Sequence, residues 1–312
     1  MACASAARKV SAVLYHYPCP DGAFAALAAH LYFSAAALPV RFFPNTVYDP
    51  IRTILNIDEF SKVFLYLQRN VFNLLHYRSD ALPFDEIKDV YLLDFVGPPG
   101  FVHDIAPKVD RVTILDHHKT ALETLCGNAT LGENVIKVID MQHSGATIAF
   151  DFFKNKLLTE ASTLQSNECG KDAAEIKYIP DNKVETVHKL FKFIEDGDLW
   201  RWKIPNSKAF SSGLKDLDIE FNVNTNCKLF DQLLKLDPEH VISRGQATLS
   251  EKQRLIDDCL DKSYEISLGC GQFGNCLKYG GGGHRNASSF MLSVTEFERW
   301  KVRAEPSKTE DA

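Results

Sequence analysis

Residues 10–33, VSAVLYHYPCPDGAFAALAAHLYF, carry the reading on which the fold rests. Val10 to Tyr17 is a short apolar run with β-branched residues, the pattern of a strand buried on both faces. Asp21 to Phe33 follows directly. It is rich in alanine and other strong helix formers, and Asp21–Gly22 makes a helix entry. A buried strand that feeds a helix is the first half of a βαβ unit. The same rhythm continues downstream. Val40–Phe43 is a strand stopped by Pro44. Asp89–Phe95 (DVYLLDF), Arg111–Leu115 (RVTIL) and Val135–Ile139 are further strands. Ser144–Leu157 has helical spacing with Ser144 as N-cap. We therefore expect an α/β fold with a mostly parallel sheet flanked by helices. Lys183–Ile194, Phe230–Leu236 and Leu249–Leu260 read as helices. Glu160–Glu175 reads as a surface loop.

Composition sets outer limits. The chain has 312 residues, 45% apolar and 24% charged, with 35 basic against 41 acidic side chains. That is globular and roomy enough for two domains. The net charge of −6 disfavours a broad electrostatic grip on nucleic acid or an anionic membrane, but not a small anionic substrate in a local site. No apolar run approaches the ~20 residues that span a bilayer. The eight cysteines form no C-x-x-C pair. With no secretory signal evident, they read as reduced thiols of a cytoplasmic protein.

In open α/β sheets, chemistry gathers at the carboxyl ends of strands. His16, Cys19 and Asp21 follow the first strand there, Asp94 ends the third, and Asp116, His117 and His118 end the fourth. Asp196 closes the helix that starts at Lys183. Carboxylates and imidazoles converging on one sheet edge suit divalent first-row ions or magnesium. A polar triplet directly after an apolar strand is costly to bury unless paired or metal-bound. A second signal is YGGGGHRNASSF, residues 279–290. Its four consecutive glycines permit close backbone approach and an anion nest. His284 and Arg285 add donors for phosphate oxygens. Asn286–Ser288 reads as a helix entry. Phe95, Trp200 and Trp202 have the chemistry to stack on a base, with core packing as the default expectation.

Six segments in order resemble the DHH phosphoesterase family, in its subgroup with a C-terminal DHHA1 domain. They are HYPCPDGAFAA (16–26), LLDFVGP (92–98), LDHHKT (115–120), HSGAT (143–147), EDGDLWRW (195–202) and GGGGHRNASSF (280–290). The resemblance implies a metal-dependent hydrolase of phosphodiesters or phosphoanhydrides, with two manganese ions or, as an alternative, magnesium. It implies His16, Asp21, Asp94, His117 and Asp196 as metal ligands, with Cys19 as a further candidate. Asp116 would orient an imidazole and His118 would face the substrate phosphate. Gly282, Gly283, His284, Arg285 and Asn286 would bind the substrate. The expected partners are a small phosphorylated molecule or a short oligonucleotide, and no membrane. The oligomeric state stays open.

The chain departs from the family pattern in three places. Cys19 stands where many members have aspartate. Asp21 and Asp94 are unusually far apart, which points to an insertion over 51–84. The DHHA1 part is short. The expected organisation is a catalytic domain over 1–215, a helical connector over 216–262, a shortened α+β substrate-binding domain over 263–303 and a disordered tail over 304–312. The rival reading is a nucleotide- or nucleic-acid-binding protein whose catalysis is impaired by the shortened second domain.

Overall fold

The structure is a computed structural model, and it describes residues 9–46, 82–126, 131–167, 177–260, 282–284, 287–289 and 293–300. Five parallel strands form the main sheet in the order β2-β1-β3-β4-β5. They are β1 (Val10–His16), β2 (Val40–Asn45), β3 (Ile87–Leu93), β4 (Arg111–Asp116) and β5 (Val135–Ile139). The protein is thus an α/β protein with a parallel sheet between helices. Strand order reverses at β1, so a crevice opens outside the carboxyl ends of β1 and β3.

Alternation along each strand divides the core in two. Val13, Tyr15, Tyr91, Leu93 and Leu115 face one apolar cluster. Ala12, Leu14, Val90, Leu92, Val112 and Ile114 face the other. Helices cover both faces, which is why these strands read as near-continuous apolar runs. The first face carries α1 (Pro20–Ala35), α4 (Gly145–Asn167) and α5 (Val184–Asp198). The second carries α2 (Phe101–Ile105), with α3 (Lys119–Cys126) beside it. Helix α1 is buried almost all round, because its alanines let sheet and helices close in on it. Pro20 opens it at a position that needs no N–H donor.

The elements differ from expectation at identifiable points. Strand β2 runs through Pro44 to Asn45. It lies at the sheet edge, where a missing N–H costs no ladder bond. Helix α4 continues to Asn167, through residues expected to be loop. Its polar residues are satisfied in place. Tyr32 donates to Glu160 Oε2 at 2.7 Å, and Lys156 donates to Glu160 Oε1 at 2.8 Å. Ser162 Oγ–H donates to the Leu158 carbonyl. Residues 168–175 of the expected loop lie outside the described residues, as do 51–81 of the expected insertion and the tail over 304–312.

Helices α6 (Ser207–Asp216), α7 (Leu229–Leu234) and α8 (Pro238–Leu260) follow. The chain divides into two compact units, Met1–Leu249 and Ser250–Ala312. In the second, β6 (Gly282–His284) pairs antiparallel with β7 (Ala287–Ser289), and α9 (Val294–Trp300) follows. This corrects the expected helix entry at Asn286–Ser288. Gly283 pairs with Ser288 and His284 with Ala287, so this backbone is committed to a ladder. Arg285 and Asn286 lie outside the described residues. No helix among the described residues is long and apolar enough to cross a membrane.

Candidate metal centre

The crevice at the carboxyl ends of β1, β3 and β4 holds the candidate site, all of it within the first unit. His16 is the last residue of β1, and Cys19 and Asp21 flank the start of α1. Gly22 lets that start fold back on the strand. A Cβ there would lie 2.2 Å from the His16 carbonyl oxygen. Asp94 follows β3 with φ of 55°, left-handed backbone that costs a non-glycine residue free energy. Its N–H donates to the Leu115 carbonyl at 2.8 Å, which ties β3 to β4 beside the site. Gly145, first in α4, packs against the carboxylates. A Cβ there would stand 2.7 Å from Asp94 Cβ and 2.9 Å from Asp21 Oδ2. That closeness brings the Ala146 N–H to Asp21 Oδ1, 3.1 Å away.

His117 lies at the centre. Its Nε2 is 3.2 Å from Asp94 Oδ1, 3.4 Å from Asp198 Oδ2 and 3.7 Å from Asp21 Oδ2. All four of these atoms are buried and face one another, with no further aligned hydrogen bond to the protein. Buried polar atoms are almost always paired. Four that face only one another make a cradle of oxygen and nitrogen lone pairs around a common space. Three groups among the described residues have donor atoms that all lie within 4.8 Å of one another: His16–Cys19–Asp94, Asp94–His117–His118 and Asp21–His117–Asp198. Asp94 and His117 each belong to two of these groups. The donor set therefore fits a divalent metal.

Asp116 organises rather than joins this cradle. Its Oδ1 accepts the backbone N–H groups of His117 and His118 at 2.6 and 2.9 Å, and lies 2.8 Å from His118 Nδ1. It thereby fixes the turn after β4 and the ring of His118, whose side chain is 45% exposed. His16 Nδ1 lies 3.1 Å from Asp94 Oδ2.

The electrostatics are those of an unneutralised anionic site. Burial, reinforced by the charges of Asp94 and Asp198, pushes the Asp21 carboxyl well above the usual range. Burial and the charge of Asp94 also raise the Asp198 carboxyl. Burial also works against the charge of Asp94, but the imidazoles of His117 and His16 and the charge of His118 outweigh it and hold Asp94 below its ordinary value. Burial pulls His117 down, yet Asp94, Asp21 and Asp198 prevail and lift it to about 9. The hydrogen bond that the Asp116 carboxylate accepts raises His118. Burial and the charges of Asp94 and Asp21 push the Cys19 thiol up.

The structure thus brings together His16, Cys19, Asp21, Asp94, His117 and His118, with Asp116 behind them. It corrects one residue. Asp196 is buried away from the cradle, and its carboxylate accepts the N–H groups of Lys203 and Ile204 at 3.0 and 3.1 Å. Asp198 takes the place expected for it. Two residues apart on a helix point to nearly opposite sides, so only one of the pair can face the metal cradle. The EDGD spacing was the available signal. The aromatic residues also part ways. Phe95 is core, 2% exposed, whereas Trp200 is 74% exposed.

No family model matches the chain. An uncharacterized protein of Acanthamoeba polyphaga mimivirus is 23% identical over 215 residues, which are 69% of this chain and 39% of the viral protein. The chain thus spans about two-fifths of the length of that curated relative. Among solved structures, an exopolyphosphatase-related protein from Bacteroides fragilis is similar with a TM-score of 0.26 and 10% identity, over 66% of this chain and 61% of that one.

Proposed function

We propose that the protein is a metal-dependent phosphoesterase of the DHH kind, acting on a phosphodiester or phosphoanhydride bond in a small nucleotide or short oligonucleotide. The observation that carries this reading is the set of four buried atoms on Asp21, Asp94, His117 and Asp198 that face only one another, with no further hydrogen bond to the protein. Such a set is expensive as a structural element and sensible as a cation cradle. Two ions, manganese in the first instance, would be held by His16, Cys19 and Asp94 on one side and by Asp21, His117 and Asp198 on the other. When bound, they supply charge for the phosphoryl oxygens and make water a competent nucleophile near neutral pH.

The protein's own groups do the rest. Asp116 engages Nδ1 of His118 and leaves Nε2 as the nitrogen that can meet a phosphoryl oxygen or protonate the leaving group. Trp200 offers an aromatic face to solvent on a turn two residues beyond Asp198. That turn is firmly tied. Trp200 N–H donates to the Gly197 carbonyl at 3.1 Å, and the Arg201 guanidinium engages Glu195 and the Gln142 carbonyl. An exposed indole on the turn that follows Asp198 would favour a substrate with a base over bare polyphosphate.

The test is a panel of pyrophosphate, polyphosphate, dinucleotides and cyclic mononucleotides, assayed with manganese and with magnesium. We expect metal-stimulated hydrolysis that is lost in Asp94→Ala and in His117→Ala. Activity unchanged in both variants would reject the assignment.

A further inference from the structure

Two of the donor sets in this cradle are chemically unlike. Asp21, His117 and Asp198 offer two carboxylates and one imidazole, a hard set that suits manganese or magnesium. His16, Cys19 and Asp94 offer one imidazole, one thiol and one carboxylate. Sulfur is a soft donor and shifts preference toward zinc, iron and cobalt. From this contrast we infer that the centre is built for two different ions, a thiophilic ion held through Cys19 Sγ and a harder ion on the side of Asp21, His117 and Asp198. The inference rests on the metal reading proposed above and goes beyond it.

Cys19 is placed by the chain rather than by chance packing. It stands at the N-cap of α1 with extended backbone, φ −138° and ψ 132°, and Pro20 fixes the helix start behind it. Its carbonyl accepts the Ala23 N–H at 3.0 Å, which anchors the residue to the first turn. His16 and Asp94, held 3.1 Å apart, complete the set. Cys227 serves as an internal comparison, being an exposed free thiol outside these groups.

Cobalt(II) is the probe. Thiolate ligation gives cobalt an intense near-ultraviolet charge-transfer band, which nitrogen and oxygen ligands do not produce. The metal-free full-length protein titrated with cobalt should develop this band. Cys19→Ser should lose it while still taking up cobalt on the harder side, and Cys227→Ser should keep it. Cys19→Asp is the companion variant, since it restores a metal ligand; it should bind two ions without the band. The same band in Cys19→Ser and Cys19→Asp, or cobalt bound by the wild type with no band, would overturn the inference and leave the phosphoesterase reading standing. A wild type that takes up no cobalt would remove the metal reading itself.

Discussion

Asp196 and Asp198 lie two residues apart at the end of α5 and hold their carboxylates to different tasks. Asp196 accepts two backbone N–H groups of the following loop, from Lys203 and Ile204. Asp198 stands with Oδ2 3.4 Å from His117 Nε2 and has no hydrogen bond there. One carboxylate is satisfied by the chain and the other is left for a cation.

The two should therefore separate on mutation. Asp196→Asn loses charge-assisted acceptance of two backbone N–H groups and should cost about 1–3 kcal/mol of stability. Asp198→Asn removes a carboxylate whose repulsion with Asp94 offsets its contact with His117, so the metal-free protein should be unchanged or slightly more stable. Metal affinity should fall in Asp198→Asn. Thermal unfolding with and without manganese measures both effects, and equal behaviour of the two variants would contradict the assignment.

Protons and metal compete at His117. In the metal-free protein its folded value of about 9 lies above the unfolded value of ~6.5. Its stabilising contribution is then complete below ~6.5 and is lost as pH rises through about 9. Metal binding needs the neutral ring, so manganese affinity should climb over the same window. Calorimetric titrations from pH 6 to 9.5, set on the scale of ordinary histidine ionisation, should show this rise. A flat profile would argue against His117 as a ligand.

Gly145 should tolerate no side chain. Gly145→Ala brings a Cβ to 2.7 Å from Asp94 Cβ and 2.9 Å from carboxylate oxygens of Asp21 and Asp94. Overpacking of this kind costs about 1–3 kcal/mol. It should also open the cradle, so that manganese no longer raises the melting temperature. Retention of the wild-type metal-induced shift would show that the helix start does not shape the site.

Trp200 should matter only for substrates that carry a base. Stacking on an aromatic ring is worth about 1–3 kcal/mol, so Trp200→Ala should raise KM for a dinucleotide by roughly 5- to 150-fold. Hydrolysis of pyrophosphate should not change. Equal effects on both substrates would assign Trp200 a structural role instead.

How much of this was legible in the chain varies with the physics involved. Strand β5 falls at Val135–Ile139, as read from its sequence, because an isolated β-branched run has few competing conformations. The crevice residues His16, Asp21, Asp94 and His117 were legible because a parallel sheet delivers strand ends to one edge. The choice between Asp196 and Asp198 was not. It depends on the rotation of α5 about its axis, which is set by packing of Val187, Leu190, Phe191 and Ile194 into the core. Pro44 was misread because its cost depends on whether β2 is an edge strand, a property of the whole sheet. Ala287–Ser289 joined a hairpin because a local pattern of small polar residues suits a helix cap and a strand equally, and pairing with Gly282–His284 settled it.

The central claim is that the buried carboxylates and imidazoles around Asp94 form a cation site. Equilibrium dialysis of the metal-free protein against manganese tests it most directly, with thermal unfolding of the same samples. The wild type should take up manganese and unfold at higher temperature, with about 2.7 kcal/mol gained at a hundredfold excess over Kd. Asp94→Ala should do neither. A wild type that binds no manganese and shows no shift, or an Asp94→Ala variant that binds as the wild type does, would contradict the account.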